Sequence, residues 1–165
     1  MRLTHSQEDE RIVEAQLGRR PRGRWEVARR CHLGIPMVIE THPRLEGGAP
    51  FPTLFWLTCP VLTRRAGSLE SQGFMATLAE RSAPDGAFRL RAEQARARYT
   101  ARRDRHEAID DAGSPPGGSP DRIKCLHAHV AHELADPPNP VGATVLSAVG
   151  WPDCLIPCVR PRASG

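Results

Sequence analysis

The densest chemistry in this chain is the run Cys125-Leu126-His127-Ala128-His129-Val130-Ala131-His132. Wound as a helix, it puts Ile123, Leu126, Val130 and Leu134 on one face and Cys125, His129 and His132 on an adjacent one, with His127 nearer the apolar side. Side chains at i, i+4 and i+7 project in one direction, so a thiol and two imidazoles there can meet a single ion. Cys31 and Cys59 can supply two further thiols. Thiolate and imidazole both suit zinc, and four donors complete its tetrahedron. Cys31, Cys59, Cys125 and His129 are therefore candidate metal ligands, with His132 as the alternative fourth. None of the five cysteines stands in a C-x2-C knuckle. Free cysteines are commonly small buried core residues, so a buried-thiol reading stands beside the metal reading and carries more weight.

Other chemistry is thinner. Cys59, at a strand end beside Pro60, can act as a nucleophile with a histidine of the last helix as base, but no G-x-S-x-G elbow or Cys-His-Asn signature supports it. No glycine-rich loop follows a strand and opens a helix, which argues against nucleotide-driven chemistry. Whether the protein is an enzyme stays open at this point.

Charge is more informative in its distribution than in its total of +4. Residues 19–30 carry six arginines against one glutamate, and residues 81–105 carry eight against three acids. Clustered arginine creates a local potential that net charge conceals. Arg19, Arg20, Arg22 and Arg24, with Arg96, Arg98, Arg102 and Arg103, are candidate contacts for an anionic partner, either nucleic acid or an acidic protein. The alternative is a solvated helix salted with Glu93, Asp104 and Glu107. Aromatic residues are too few for a stacking platform.

The elements that must position these groups are readable in part. A first helix is capped by Thr4 or Ser6, favoured by Glu8, Asp9 and Glu10 at its positive end, and stopped by Gly18. Ile12, Val13 and Leu17 give it a narrow apolar stripe. Three short strands follow, around Trp25–Ala28, Met37–Thr41 and the run TLFWLTC, close enough together for an antiparallel meander. The chain from Pro60 reads as helix with Leu62, Ala66 and Leu69 on one face and Gly73 as its stop. Phe74 to Arg81 continues as a separate short helix. A long polar helix is expected from Phe88 to about Ile109, in which Leu90, Ala97 and Ala101 offer little to bury, so that solvent covers most of it. Residues 111–121 are a mobile Gly/Pro/Ser loop, Asp121 caps a last helix that Pro137-Pro138 stops, and residues 151–165 are a tail.

The segments GRRPRG (18–23), CHLGIPMVIETHPRLEGGAPFPTLFWLTCP (31–60), KCLHAHVAH (124–132) and NPVG (139–142) together resemble an actinobacterial family known as domain of unknown function 501. The resemblance spans most of residues 7–150. It implies an uncharacterised cytosolic bacterial protein, and it brings no catalytic residue, cofactor or substrate with it.

The expectation is a single α+β domain over residues 1–150, a small antiparallel meander of about three strands with three or four helices covering one face. With no long apolar run and no secretory leader, a cytoplasmic protein without a membrane span is expected. Two functions stay open: a non-enzymatic binding or accessory module for an anionic partner, and a Cys/His zinc protein that is metal- or cysteine-dependent in any catalysis.

Overall fold

The first helix forms where its signals lie. In the computed structural model, which describes residues 5–108 and 115–163, α1 spans Gln7–Leu17 and begins with a reciprocal capping box. The Asp9 N–H donates to the Ser6 hydroxyl at 3.1 Å, and the Ser6 N–H donates to the Asp9 carboxylate at 3.0 Å. Gly18, at φ 74, takes the left-handed conformation that ends the helix. Arg30 reaches the same carboxylate at 2.8 and 3.0 Å, which pushes Asp9 down to about 2 and ties α1 to the first strand. Thr4, the alternative cap, lies outside the described residues, as do Ile109 and residues 111–114 of the expected loop.

Strands β1 (Trp25–Arg30), β2 (Pro36–Thr41) and β3 (Phe55–Leu57) form the expected antiparallel meander in the order β1-β2-β3. Val27 faces Ile39, and Val38 faces Leu57. All six residues of β2 are buried, because both faces of the sheet are covered. Val13 of α1 packs with Trp25 and Ile39 on one side, while the main core of Val38, Phe55, Leu57, Leu126 and Val130 lies on the other. The expectation of helices on one face alone is corrected here: the short stripe of α1 suffices to close the second.

Helices α2 (Pro60–Ser71), α3 (Phe74–Ser82) and α4 (Gly86–His106) follow. Most of α4 is exposed, and a narrow stripe of it is buried. Leu90, Ala97 and Ala101 are exposed, whereas Ala92, Ala95, Tyr99 and Arg103 face inward at three- and four-residue spacing. Tyr99 supplies what the small residues lack, since its hydroxyl accepts from the Leu54 N–H at 2.5 Å and its ring meets Phe55 edge-on.

Two further corrections concern the last third of the chain. Asp121 does not cap a helix. Gly118–Ser119 (β4) pairs with Arg122–Ile123 (β5), which leaves Asp121 in the turn, 3.2 Å from Arg89. Helix α5 (Leu126–Ala135) begins only after Cys125, whose backbone is extended at φ −153 and ψ 115. The chain also forms a helix beyond Pro137-Pro138: α6 (Pro140–Val149), with Asn139 as its N-cap, proline at its first position and Gly150 at its end. Gly142 lets α6 lie against α5, for a Cβ there would stand 2.1 Å from the His129 carbonyl oxygen. Residues 151–163 contain neither helix nor strand. Among the described residues this makes six helices, a three-stranded antiparallel sheet and a two-stranded one, an α+β fold. No helix among the described residues is long and apolar enough to cross a membrane.

Candidate functional site

Helix α5 is buried at Leu126, at His129 through His132, and at Leu134, so little of its circumference faces water. Sheet, α2 and α6 all pack on it. Its three histidines consequently have different surroundings, and the five metal candidates fall into three places.

The first place is the start of α5. Cys125, the N-cap, makes no capping hydrogen bond with its own side chain. Glu70, in the last turn of α2, takes over: its Oε1 accepts from the Leu126 N–H at 2.8 Å, placing a carboxylate at the positive end of α5. The same oxygen lies 3.0 Å from His127 Nδ1. His127 Nε2 lies 2.9 Å from the Thr63 carbonyl oxygen. That oxygen can only accept, so Nε2 carries a proton. The imidazole lies along Thr63, Gly67 and Glu70, one stripe of α2 by helical spacing, and a Cβ at Gly67 would come within 3.8 Å of Nε2. His127 was expected nearer the apolar side; it is half-buried against α2 instead, while His129 and His132 take the interior.

One ligand atom each from Glu70, Cys125 and His127 lies within 4.8 Å of the others, and all three residues are half-buried. The hydrogen bond with Cys125, then the Thr63 carbonyl and the Glu70 charge, push His127 up to about 9 against the opposing effect of burial. With Nε2–H committed to a carbonyl, Nδ1 faces a carboxylate and a thiol, and something positive must sit between them. A proton satisfies that arrangement, and so does a divalent ion.

The second place is interior. Asn139 Oδ1 accepts from the Val141 and Gly142 N–H groups at 3.0 and 3.1 Å, which fixes the orientation of the amide. Its Nδ2 therefore donates to Nδ1 of both His129 (3.2 Å) and His132 (3.0 Å). Each ring then carries its proton on Nε2. The His129 Nε2–H donates to the Gly117 carbonyl at 2.9 Å, whereas His132 Nε2 is buried with no hydrogen-bond partner, 3.9 Å from Asp136 Oδ2. Burial lowers the basicity of both rings, that of His132 down to about 3. His129 has both nitrogens engaged; His132 has one free.

The third place is at the end of the sheet. Cys31, just past β1, and Cys59, the N-cap of α2, line one pocket with Cys154 and Cys158 from the C-terminal segment. Burial pushes the Cys59 thiol up, and Cys158 and Cys154 are near enough to raise it further.

The arginine candidates of α4 are engaged within the molecule. Arg102 reaches buried Glu40 at 2.6 Å and lies over the Phe55 ring. Arg98 donates to the Asp136 and Pro138 carbonyls. Arg96 pairs with Glu93 at 3.1 Å, and Arg103 is buried with its guanidinium 3.3 Å from Asp104. In the other segment, Arg20 pairs with Glu14 at 3.3 Å, and Arg19 lies 5.6 Å from the centre of the Trp56 ring. Arg22 borders the same surface near Trp56, and Arg24 accepts from His42 through its carbonyl.

Sequence reasoning missed Glu70, Asn139 and the Cys154/Cys158 pair. Asn139 had a readable signal, a cap residue before proline. Glu70 had none, being 57 positions from His127. No curated protein and no solved structure matches this chain. A family model does, over residues 27–147, a stretch that includes Cys31, Cys59, Glu70, Cys125, His127 and the whole Asn139 network; the chain thus belongs to the family described as protein of unknown function (DUF501).

Proposed function

We propose that this protein is a metal-site protein of the Cys/His class, with Glu70, Cys125 and His127 holding a zinc-type divalent ion at the start of α5. The carrying observation is that these three donors lie within 4.8 Å of one another while Nε2 of His127 is tied to the Thr63 carbonyl. Metal-bound histidines commonly donate their second ring N–H to a backbone carbonyl or carboxylate, which fixes the tautomer and orients the ring. Glu70 is oriented in the same manner by the Leu126 N–H.

Three protein donors leave one position of a tetrahedral ion for water or a substrate oxygen, as in catalytic rather than structural zinc sites. The half-buried position of all three donors supports access to that fourth position. An ion there would acidify a bound water or polarise a carbonyl. The anionic-partner function has less support, because Arg98, Arg102 and Arg103 are turned toward Asp136, Glu40 and Asp104.

The test is metal analysis of the full chain purified without chelator, followed by cobalt substitution of stripped protein. The wild type should carry an ion at this site that Cys125→Ser, His127→Gln and Glu70→Gln each release or weaken, with the cobalt spectrum losing the contribution of one thiolate in the first. Unchanged metal content in Cys125→Ser and His127→Gln would refute the assignment.

A further inference from the structure

Cys154 and Cys158 lie beyond the residues that the family model matches, in a segment with neither helix nor strand. Three residues separate them, a spacing within the range over which two thiolates of one loop reach a common ion. Both line the pocket that Cys31 and Cys59 line, so four of the chain's five thiols come to one place from three separate stretches.

The way this segment lies on the protein is unusual for a tail held by apolar burial. Leu155 and Ile156, between the two cysteines, are 94% and 70% exposed. Pro152 is buried instead, and Cys154 is half-buried. The other attachments are polar threads. His32 Nε2 meets the Cys154 carbonyl at 2.7 Å, Gln16 donates to Cys158 Sγ at 3.5 Å, and the Arg162 N–H donates to Glu8 at 2.8 Å. Cys154 is half-buried and Cys158 exposed, and both line the pocket of Cys31 and Cys59 while Leu155 and Ile156 face water. On the receiving side, Cys59 is buried and stands at the N-terminus of α2.

We propose that Cys31, Cys59, Cys154 and Cys158 are the ligands of a second, structural metal site, filled by a thiophilic divalent ion such as zinc, that staples the C-terminal segment to the end of the sheet. Four thiolates are a closed donor set for tetrahedral zinc, with no position left for substrate. The four sulfurs are not yet a compact cluster, since the only three-ligand group within 4.8 Å among the described residues is that of Glu70, Cys125 and His127. Binding therefore draws the 154–158 loop inward, and the ion supplies the closure that Leu155 and Ile156 do not. This site is independent of the one at Cys125.

The experiment uses the full chain, purified under reducing conditions, stripped and titrated with cobalt(II), reading thiolate-to-cobalt charge-transfer absorption. Cys125→Ser should still take one equivalent with the intensity of four thiolates. The double variant Cys154→Ser/Cys158→Ser should lose that equivalent while keeping the one-thiolate cobalt signal of the Glu70 site. Protease should cut residues 150–163 faster in stripped protein and in the double variant than in metal-loaded wild type. Four-thiolate absorption that survives the double substitution would overturn the proposal. So would a freshly purified chain that is lighter by two hydrogens per cysteine pair and releases no metal, which would make the cluster a disulfide site. A wild type that takes up four-thiolate cobalt here but no one-thiolate cobalt at the Cys125 site would overturn the function proposed above and leave this one standing.

Discussion

Asn139→Ala tests the interior network most sharply, because one side chain there does three things. Its oxygen accepts from two N–H groups at the start of α6, a cap worth about 1 kcal/mol. Its amide donates to Nδ1 of His129 and of His132, and each ring nitrogen left buried without a donor costs about 1–3 kcal/mol. Neighbouring contributions do not add fully, so the expected loss is about 3–5 kcal/mol. Asn139→Asp separates the parts. It keeps the cap but turns an acceptor toward both rings. His132 can answer by moving its proton to Nδ1, since its Nε2 has no hydrogen bond to lose. His129 cannot, because its Nε2–H is held by the Gly117 carbonyl, and it must take a second proton to pair with the new carboxylate. The aspartate variant should therefore be milder than the alanine variant, and least impaired at mildly acidic pH. Urea denaturation gives the free energies, and long-range proton–nitrogen spectra of the imidazoles give the tautomers. A loss below about 1 kcal/mol for Asn139→Ala, the cap alone, would refute the reasoning. So would a wild-type ring protonated only at Nδ1.

Three further predictions follow from the same geometry. His132, lowered from 6.5 to about 3 by burial, binds its proton in the unfolded chain first; its contribution is complete above pH 6.5 and is lost as pH falls toward 3, at up to about 1.4 kcal/mol per pH unit in a denaturation series. A stability that rises as pH falls through that window would contradict a buried neutral ring. Gly142→Ala should destabilise by about 1–3 kcal/mol or more, since its Cβ would meet the His129 carbonyl oxygen and α6 must move away from α5; a variant as stable as wild type would show that the two helices do not touch there. Tyr99→Phe should cost about 1–3 kcal/mol, because the buried Leu54 N–H loses its acceptor, and the Leu54 amide should exchange with solvent faster than its β2 neighbours.

The parts of this fold that were legible in sequence are those written locally. The Ser6/Asp9 box, the Gly18 stop and the short alternating strands each need only a few adjacent residues. What failed was the inference that a helix has one wet side. That premise holds for α1, whose stripe of Ile12 and Val13 covers one sheet face. It fails for α5, which is packed on several sides at once, so an imidazole face that looks solvent-ready became the interior. For α4 the premise held: most of the helix is exposed, and with alanine on every side only the single tyrosine marks the buried stripe.

The same local boundary explains why the candidate site regrouped. The i, i+4 rule places Cys125 beside His129 only if both belong to one helix, and Cys125 is still extended. There the hairpin of Gly118–Ser119 with Arg122–Ile123 uses the residues that would have formed the preceding turn. A thiol one residue outside the helix and an imidazole in its first turn can both meet a carboxylate lying across the helix end, which is where Glu70 sits, hydrogen-bonded to the Leu126 N–H. The orphan N–H groups of α5 thus hold Glu70 beside Cys125 and His127, as the proposed donor set requires. Cys125, lacking a capping hydrogen bond, leaves that need for Glu70 to satisfy. A residue such as serine or aspartate at position 125 would bond the α5 N–H groups itself and remove the reason for Glu70 to be there.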